Sequence, residues 1–383
     1  MTRLRVMHLI NNLGYGGAER MLEKLLSHGN GSSFSWKVVS LIGGGALEEP
    51  IRDLGVPVEN LGMRRGIPDP RALLRFLKVL RKWKPQILQT WLYHSDFLGA
   101  LALHLAEVPH LVWNIRGTGH LRHSGKRNAT FLPKLCAGLA GFPDLVLSNS
   151  HAGVEFHQQL GYRPRRWEVI PNGFDLERFR PDPRAWQALR RELDLSEESL
   201  VGGFIGRWSP SKDHSNFFKA ARSCLEECDD LVFVLAGPEI TADNASLTAL
   251  LKGSGVEEKV RLLGARADIP HLCAGFDFFV LPSLFEGFPN VLGEAMACGV
   301  PCVATRAGDA AEILGDCGIL VPPGDSRALA RAMEKMAALP AALRAEMGAR
   351  GRSRIKERFE IRAISRRYEA LYARIAGERE CVA

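Results

Sequence analysis

Residues 276–305 read FDFFVLPSLFEGFPNVLGEAMACGVPCVAT, and this stretch decides the fold of the second half of the chain. Its opening run, residues 276–282, is apolar and aromatic, which predicts a buried parallel strand. Asn290 is a good N-cap for a following helix, and a second short strand comes after that helix. Ligands bind beyond the carboxyl ends of parallel strands. The amides of Val291 and Leu292 at the helix start are therefore expected to hold an anion such as a diphosphate.

Two glutamates frame the predicted helix start, Glu286 in the loop and Glu294 in the first helical turn. Side chains on a helix lean toward its N-terminus, so the Glu294 carboxylate is expected to face the same ligand. A carboxylate accepts from two neighbouring hydroxyls, as a ribose diol offers, and Glu286 could do the same for a hexose. The alternative is that Glu294 only complements the helix dipole and that Glu286 is solvated.

Several motifs, spaced along the chain in a fixed order, resemble those of retaining glycosyltransferases of family 4, which have the GT-B fold. They are residues 286–291 (EGFPNV), residues 294–297 (EAMA) with Gly299 and Pro301, residues 171–175 (PNGFD), Gly206 and Arg207 with Lys212 and Asp213, and residues 16–20 (GGAER). The resemblance covers most of the chain. It implies an α/β protein of two doubly wound Rossmann-like domains that face each other across a cleft.

The resemblance also implies an activity: transfer of a sugar from a nucleotide-diphosphate donor to an acceptor hydroxyl, with retention and without a metal ion. The donor-binding candidates are Gly16, Gly17, Arg207, Lys212, Arg266, Glu286, Gly287, Phe288, Pro289, Asn290, Val291, Leu292 and Glu294. The catalytic candidates are Arg207, Lys212, Glu286 and His94. No cofactor is expected besides the nucleotide-diphosphate sugar as co-substrate, with UDP the favoured nucleotide.

The charges of Arg207 and Lys212 suit a diphosphate leaving group. Such a group gains negative charge as the sugar bond breaks, and an arginine fork and a lysine point charge can stabilise it. The chain contains no DxD triplet that could hold Mg²⁺. The alternative for both residues is a surface salt bridge. Residues 305–308 (TRAG) with Glu312 resemble the next donor-side loop of that family, in which Asp309 replaces a common second glycine.

Length and composition are consistent with two domains, because 383 residues with 46% hydrophobic content can form ample core. We predict an N-terminal acceptor-side domain over residues 1–170, a donor domain over 171–358, and a C-terminal helix at about 359–383 that packs back on the first domain. A linker is expected to run to Arg184. No apolar run approaches the ~18 residues that span a bilayer. Eight cysteines without a CxxC pair favour a reduced, cytoplasmic chain and no metal site.

Positive charge is concentrated in one segment of the first half. Residues 64–84 contain eight basic residues and a single acid, Asp69. Residues 71–84 have apolar side chains at helical spacing with basic ones on another side, as in helices that lie on an anionic membrane. The inner face of the cytoplasmic membrane is thus a candidate surface. The alternative is a helix that packs on its own sheet with a solvated basic face. Signatures of nucleic-acid binding are absent from the sequence.

The first half alternates strands with helices, which predicts a doubly wound parallel sheet. A glycine loop at residues 11–17 leads into a helix, whose start favours an anion although the loop does not match GxGxxG. His94, Arg116 and His120 are expected in loops after strands, and residues 110–134 contain no acid. A saccharide or lipid-linked acceptor, such as a lipid diphosphate, would suit this region. Many relatives have histidine in place of Arg116, and His94 could instead bond within the core.

Two other functions fit the same motifs. One is a sugar-nucleotide epimerase of similar architecture. The other is a non-catalytic nucleotide-sugar binding partner in a cell-envelope assembly complex. The intact set Arg207, Lys212, Glu286 and Glu294 argues against a non-catalytic protein with a decayed site. Sugar transfer in envelope polysaccharide or glycolipid synthesis is the preferred interpretation.

Overall fold

The computed structural model describes residues 3–64, 69–103, 105–117 and 130–380, with residues 378–380 as backbone. The chain divides into two compact units. One extends to Gly173 and resumes at Ile361, and the other runs from Phe174 to Glu360. Each unit contains a parallel sheet covered by helices, which is the predicted α/β class.

The first unit is built on a seven-stranded sheet within its described residues. The strands are β1 (Leu4–Ile10), β2 (Phe34–Ser40), β3 (Val58–Asn60), β4 (Ile87–Trp91), β5 (His110–Ile115), β6 (Leu145–Ser148) and β7 (Trp167–Val169). Their order is β3-β2-β1-β4-β5-β6-β7, and all pairs are parallel. The helices are α1 (Gly17–His28), α2 (Glu48–Asp53), α3 (Arg71–Trp83), α4 (Tyr93–Leu103), α5 (Phe131–Leu139), α6 (His151–Gln159) and α15 (Ile361–Glu380). Strands β4 and β5 are buried throughout, because helices cover both faces of the sheet.

Two apolar cores lie on opposite faces of this sheet. Side chains of α3, α4 and α5 form one core, and side chains of α1, α2 and α15 form the other. Helix α15 contributes Tyr368 and Tyr372, both fully buried, and the Tyr372 hydroxyl donates to Gln89 Oε1 at 2.7 Å. The C-terminal helix is therefore an integral part of the first unit.

The second unit is built on a six-stranded parallel sheet. Its strands are β8 (Leu200–Ile205), β9 (Leu231–Ala236), β10 (Val260–Leu262), β11 (Phe278–Leu281), β12 (Cys302–Thr305) and β13 (Gly318–Val321), in the order β10-β9-β8-β11-β12-β13. Its helices are α7 (Pro183–Glu192), α8 (His214–Glu227), α9 (Ala245–Ser254), α10 (Ile269–Ala274), α11 (Asn290–Ala297), α12 (Ala310–Leu314), α13 (Ser326–Ala338) and α14 (Ala341–Phe359). Again one core lies on each face.

Several predicted boundaries are wrong. The linker ends before Arg184, because α7 begins at Pro183 and the Asp182 side chain caps it by accepting from the Arg184 amide. His94 lies in the first turn of α4 and not in a loop. The C-terminal helix, predicted from about residue 359, begins at Ile361, where the extended Glu360 separates it from α14. The short strands β7 and β13 were not predicted.

Some predictions concern residues outside those described. His120 and twelve of the 25 residues of the acid-free stretch lie in residues 118–129, and part of the basic stretch lies in residues 65–68. Within the described part of the chain, no helix combines the length and apolar character needed to cross a membrane. The same residues contain no cluster of three or more His, Cys, Asp or Glu side chains placed to hold a metal ion.

Candidate functional site

The carboxyl edge of the second sheet brings the main donor candidates together. Strand order reverses between β8 and β11, which are hydrogen-bonded neighbours. The loop after β8 carries Arg207 and Lys212, and the loop after β11 carries Glu286. Ligands of open α/β sheets bind at such a reversal, so the topology marks this edge as the candidate site.

Lys212 and Glu286, predicted as separate ligand contacts, form an ion pair. Lys212 Nζ lies 2.5 Å from Glu286 Oε1, which also accepts from Ser283 Oγ at 2.7 Å. The two charged side chains are only 15% and 14% exposed. An ammonium has three N–H donors, so Lys212 keeps two for a ligand while the carboxylate holds it in position.

Backbone contacts fix the two loops against each other. The Leu284 amide donates to the Ser211 carbonyl at 2.8 Å, which ties the loop after β11 to the loop after β8. Gly206 at the end of β8 leaves room for the Lys212 stem, since a Cβ there would lie 3.2 Å from Lys212 Cδ. Asp213 then adopts a left-handed conformation with φ 48° and caps α8. Lys212 is thus placed by its backbone as well as by Glu286.

Arg207 has a constrained backbone and a solvent-exposed side chain. The next residue, Trp208, donates its amide to the Pro238 carbonyl at 3.0 Å. Gly237 allows this close approach, because a Cβ at that position would come within 2.2 Å of the Gly206 carbonyl oxygen. No salt bridge to Arg207 is found among the described residues. Its guanidinium is therefore available to an anion at the same edge.

The start of α11 differs from the prediction in two ways. The predicted N-cap is wrong: α11 begins at Asn290, Pro289 occupies the cap position, and no side-chain cap bond is present. The Leu292 amide was expected to be open, but it donates to the Pro289 carbonyl at 3.2 Å. The Val291 amide has no such backbone partner within the described chain, so it is the better candidate for an anion.

The loop before α11 is held by the loop after β12. Asp309 stands where the resembling family commonly has a glycine. Its backbone amide donates to the Gly287 carbonyl at 2.9 Å. Gly308 makes the contact possible: its φ is 56°, and a Cβ would lie 2.4 Å from the Glu286 carbonyl oxygen. The Asp309 amide is therefore used to position the loop that carries Glu286.

Two residues of the donor motif have other positions than expected. Glu294 is the fifth residue of α11 and so lies in the second turn, not the first. The Phe288 side chain is 7% exposed and packs in the core, with ring centroids 6.1 Å from Phe174 and 5.9 Å from Phe359. Phe288 can therefore contribute only its backbone to a ligand, while its ring anchors the loop.

The Arg266 side chain is engaged in ion pairs. Its guanidinium lies 2.5 Å from the Glu192 carboxylate and 2.7 Å from that of Asp268. These hydrogen bonds raise the pKa of Arg266 and lower the pKa of Asp268. A donor contact through this side chain would break both pairs, so backbone groups of the loop after β10 are the better candidates.

In the first unit, the start of α1 is already occupied by a carboxylate of the chain. Gly16 is the cap residue and Gly17 the first helical residue. The Glu19 carboxylate folds back so closely that a Cβ at Gly16 would lie 2.1 Å from Oε2. Burial raises the pKa of Glu19, and its own amide donates to the carboxylate. An anion could reach this helix end only if Glu19 moved.

His94 and Arg116 have different environments. The His94 side chain is exposed, and its Nδ1 lies 3.4 Å from Asn11 Nδ2. Partial desolvation of the imidazole by the surrounding protein lowers the pKa of His94. Arg116 stacks its guanidinium on Trp91 at 5.2 Å and donates to Asn172. Arg116 is therefore a structural cation that braces the end of β5, while His94 remains a catalytic prediction.

His214 is a buried neighbour of the candidate site that was not among the predicted site residues. It lies next to the Lys212 turn, is 3% exposed, and packs 4.8 Å from the rings of both Phe204 and Trp208. Burial, and then the charge of Lys212, lower the pKa of His214 to about 4. No periodic pattern in the sequence predicts that His214 is buried beside Lys212, so only the fold shows this position.

We expect His214 to make the protein sensitive to acid. The unfolded state binds this proton below pH 6.5 and the folded state only near pH 4, so the free energy of unfolding falls as pH drops through that window. Between pH 6.5 and 5 the loss is roughly 2 kcal/mol. Denaturant unfolding of the parent and of His214→Phe should therefore diverge in pH dependence, with the variant less sensitive.

The His214→Phe variant is needed as a reference because other buried groups also contribute to the pH dependence of the free energy of unfolding. Burial lowers the pKa of His8 to about 3 and that of His157 to about 4, which adds to the acid sensitivity. Burial raises the pKa values of Asp96 and Glu19, which stabilises the folded state as pH falls. Equal pH slopes for the parent and for His214→Phe would contradict the assignment to His214.

Models of two protein families match this chain. Glycosyltransferase Family 4 matches residues 15–178, and Glycosyl transferases group 1 matches residues 199–338. The UDP-Gal:alpha-D-GlcNAc-diphosphoundecaprenol alpha-1,3-galactosyltransferase of Escherichia coli is 30% identical over 268 residues, which cover 68% of this chain and 67% of that protein. The N-acetylgalactosamine-N,N'-diacetylbacillosaminyl-diphospho-undecaprenol 4-alpha-N-acetylgalactosaminyltransferase of Campylobacter jejuni is 27% identical over 340 residues, 85% and 88% of the two chains.

Solved structures show the same architecture. Anabaena HepE, determined in complex with UDP and glucose, has a TM-score of 0.83 at 24% identity and covers 97% of this chain and 100% of its own. WaaG, a glycosyltransferase involved in lipopolysaccharide biosynthesis, has a TM-score of 0.74 at 14% identity, with 96% and 99% covered. At these identities the likeness is one of fold, and it confirms the predicted GT-B class.

Proposed function

Because this chain belongs to the group 1 glycosyl transferases of family 4, we propose that it is a retaining, metal-independent enzyme that uses a nucleotide-diphosphate sugar. The observation that carries the proposal is the cluster at the carboxyl edge of the second sheet. There Arg207 is exposed and unpaired within the described chain, Lys212 is held by Glu286, and the Val291 amide opens α11. A guanidinium, an ammonium and a backbone N–H at a helix start are thus all carried at the same edge of the sheet.

These groups suit the departure of a diphosphate. Negative charge on the leaving group grows as the bond from the anomeric carbon to the phosphate oxygen breaks, and preorganised cations lower the barrier at that moment. Glu286 fixes Lys212 before the donor arrives, so little reorganisation is needed during the reaction. The attacking acceptor hydroxyl must lose a proton, and an oxygen of the departing phosphate is the proposed base, as the family resemblance implies.

The proposed donor is a UDP-sugar, and the proposed acceptor is a saccharide or lipid-linked saccharide of the cell envelope. Support comes from relatives: the Escherichia coli protein is named for a UDP-Gal donor and a diphosphoundecaprenol acceptor. Anabaena HepE was solved with UDP and glucose. The proposed site of action is the cytoplasmic side of the membrane, where nucleotide sugars are the donors.

Release of nucleoside diphosphate from a panel of sugar nucleotides tests this function. We expect release from at least one UDP-sugar, a large stimulation by an undecaprenyl-diphosphate-linked saccharide, and full activity in excess EDTA. Retention is read from the anomeric configuration of the product by NMR. Recovery of an isomerised sugar nucleotide would favour an epimerase instead, and binding without turnover would favour a non-catalytic partner. Activity that EDTA abolishes and Mg²⁺ restores would refute metal independence alone.

A further inference from the structure

The strand order of the first sheet reverses between β1 and β4. These two strands are hydrogen-bonded neighbours, with β2 and β3 on one side and β5, β6 and β7 on the other. The elements that follow them are tied together: Asn11, directly after β1, accepts at Oδ1 from the Ser95 amide at 3.1 Å and from the Ser95 hydroxyl at 2.8 Å. Ligands of open α/β sheets bind at such a reversal. The carboxyl edge of the first sheet therefore has a candidate site of its own.

The loop between β1 and α1 is held in place by the rest of the first unit. The Leu47 amide donates to the Leu13 carbonyl at 2.8 Å, and the Gly14 amide donates to Asn12 Oδ1 at 2.8 Å. Gly45 permits the first of these contacts, because a Cβ there would lie 2.4 Å from the Leu13 carbonyl oxygen. A loop that is already ordered loses little conformational entropy when a ligand binds.

This loop presents an exposed aromatic ring, that of Tyr15. Tyr15 is 68% exposed, whereas the other four tyrosines of the chain are buried or half-buried. The Arg20 guanidinium lies over the ring, 5.2 Å from its centroid, and this cation–π contact covers one face. The opposite face is open to a ligand. A pyranose has a face of C–H groups, whose partial positive charge suits the negative face of an aromatic ring.

A buried carboxylate lies at the end of the same loop. Glu19 is 6% exposed, and its carboxylate lies against Gly16 and accepts from its own backbone amide. No other hydrogen bond or salt bridge to this carboxylate is found in the described part of the chain, and Arg116 acts on it only through space. A carboxylate has about four acceptor positions, so most of those of Glu19 are unfilled. The alternative is that Glu19, at the third helical position, is only a helix cap.

We propose that Tyr15 and Glu19 form a subsite for a neutral pyranose of the acceptor. The open face of Tyr15 stacks on the C–H face of the sugar, and the Glu19 carboxylate accepts from two adjacent hydroxyls. The same carboxylate repels an anion, so the subsite takes an uncharged sugar rather than a phosphate. Assignment of the sugar to the acceptor rests on the proposed function, whereas saccharide binding itself needs neither donor nor turnover.

Binding of simple glycosides to the purified full-length chain tests the subsite directly. The probes are the methyl α-glycosides of glucose, galactose, N-acetylglucosamine and N-acetylgalactosamine, titrated without a sugar nucleotide and followed by saturation-transfer NMR. We expect saturable binding of at least one of them. Tyr15→Ala and Glu19→Gln should each raise Kd about tenfold or more, and Tyr15→Phe, which keeps the ring, should stay within about twofold of the parent.

The matched controls change residues of the same kinds elsewhere in the first unit. Phe131→Ala removes an exposed aromatic ring on α5, and Glu155→Gln neutralises an exposed carboxylate on α6. Both should bind the glycosides as the parent does. Glu19→Gln keeps an oxygen that can accept from the same amide, and Tyr15 is exposed, so thermal unfolding of the variants should differ little from that of the parent.

Deoxy analogues of the glycoside that binds show which group Glu19 contacts. Loss of either of two adjacent hydroxyls should weaken binding to the parent about 10- to 100-fold, since each hydroxyl donates to a charged acceptor. The same loss should have a smaller effect on Glu19→Gln, because the two changes remove one interaction. A purely structural Glu19 would give equal effects of the deoxy change in parent and variant.

Turnover distinguishes the acceptor sugar from the donor sugar. Tyr15→Ala and Glu19→Gln should raise KM for an undecaprenyl-diphosphate-linked saccharide at least about tenfold and leave KM for the sugar nucleotide unchanged. The opposite result, a raised KM for the sugar nucleotide alone, would assign the pair to the donor hexose and overturn the assignment to the acceptor.

Three results of the binding experiment would overturn the subsite: no binding of any of the four glycosides by the parent, equal binding by Tyr15→Ala and the parent, or an equal loss in the Phe131→Ala control. Glycoside binding without UDP release from any sugar nucleotide would refute the proposed function and leave saccharide binding intact. Normal UDP release without glycoside binding would refute the subsite alone.

Discussion

Replacing Lys212 with alanine is expected to lower kcat/KM for the sugar nucleotide at least about 100-fold. Removing one preorganised donor to an oxyanion costs about 2.7–4 kcal/mol in the transition state. Here the variant also leaves Glu286, only 14% exposed, without its cation near the departing phosphate. We therefore expect kcat to fall more than KM rises.

Replacing the exposed Arg207 with alanine should lower kcat/KM about 10- to 100-fold, since one charge-assisted hydrogen bond contributes about 1.5–3 kcal/mol.

Unfolding curves separate catalysis from folding. Lys212→Ala should lose about 1–3 kcal/mol of stability, because a largely buried carboxylate is left unpaired. Arg207→Ala should stay within about 0.5 kcal/mol of the parent, as surface substitutions usually do. Lys252→Ala on α9 is the control for loss of an exposed lysine in the same unit. Normal turnover by folded Lys212→Ala would show that the pair with Glu286 is only structural.

Gly293→Ala is expected to destabilise the second unit by about 1–3 kcal/mol, against the usual trend. A glycine inside a helix is normally about 1 kcal/mol less favourable than alanine. Gly293 lies in the middle of α11, but a Cβ there would come within 2.1 Å of the Phe174 ring. That ring is fully buried and stacks on Phe288, so it cannot move away without displacing the loop that carries Glu286. Overpacking a filled core costs about 1–3 kcal/mol.

The Gly293→Ala substitution should also weaken binding of the donor nucleotide. A shift of α11 moves the Val291 amide and the preceding loop, so we expect weaker UDP binding by calorimetry together with the lower unfolding free energy. Phe174→Leu in the Gly293→Ala background should restore part of both, because the smaller side chain makes room for the methyl group. Gly253→Ala in α9, where a Cβ would meet open space, is the matched control and should be neutral or stabilising. A stabilised Gly293→Ala variant would contradict the clash.

Much of the second sheet could be predicted from sequence because its signals are local. The apolar run at 276–282 contains β11, and the next helix and strand follow in the predicted order. Parallel strands joined by helices admit one handedness and place their loops at one edge. The GT-B class itself was implied by the resemblance of the ordered motifs to those of family 4 glycosyltransferases. The positions of Arg207 and Lys212 after a strand could be inferred without coordinates.

Helix ends and short strands were less predictable, because local preference competes with packing there. Asn290 is a favourable cap in isolation, yet Pro289 takes that place and the helix starts one residue earlier than the cap rule implies. The basic face of α3 was recognised from its periodicity. The exposed apolar residues of α4 and α5, among them Leu101 and Phe131, were not, since neither helix is strongly amphipathic in sequence.

The sequence by itself determined the fold class, the order along the chain of the strands that precede the motifs, and the chemical types of the donor candidates. Only the tertiary structure decided which of these side chains meet. Lys212 and Glu286 are 74 positions apart and pair because β8 and β11 are neighbours in the sheet. Phe288 turns into the core because Phe174 and Phe359 leave space for its ring, and Arg266 is held by two carboxylates. Such contacts depend on distances between segments remote in sequence, which no local pattern of residues contains.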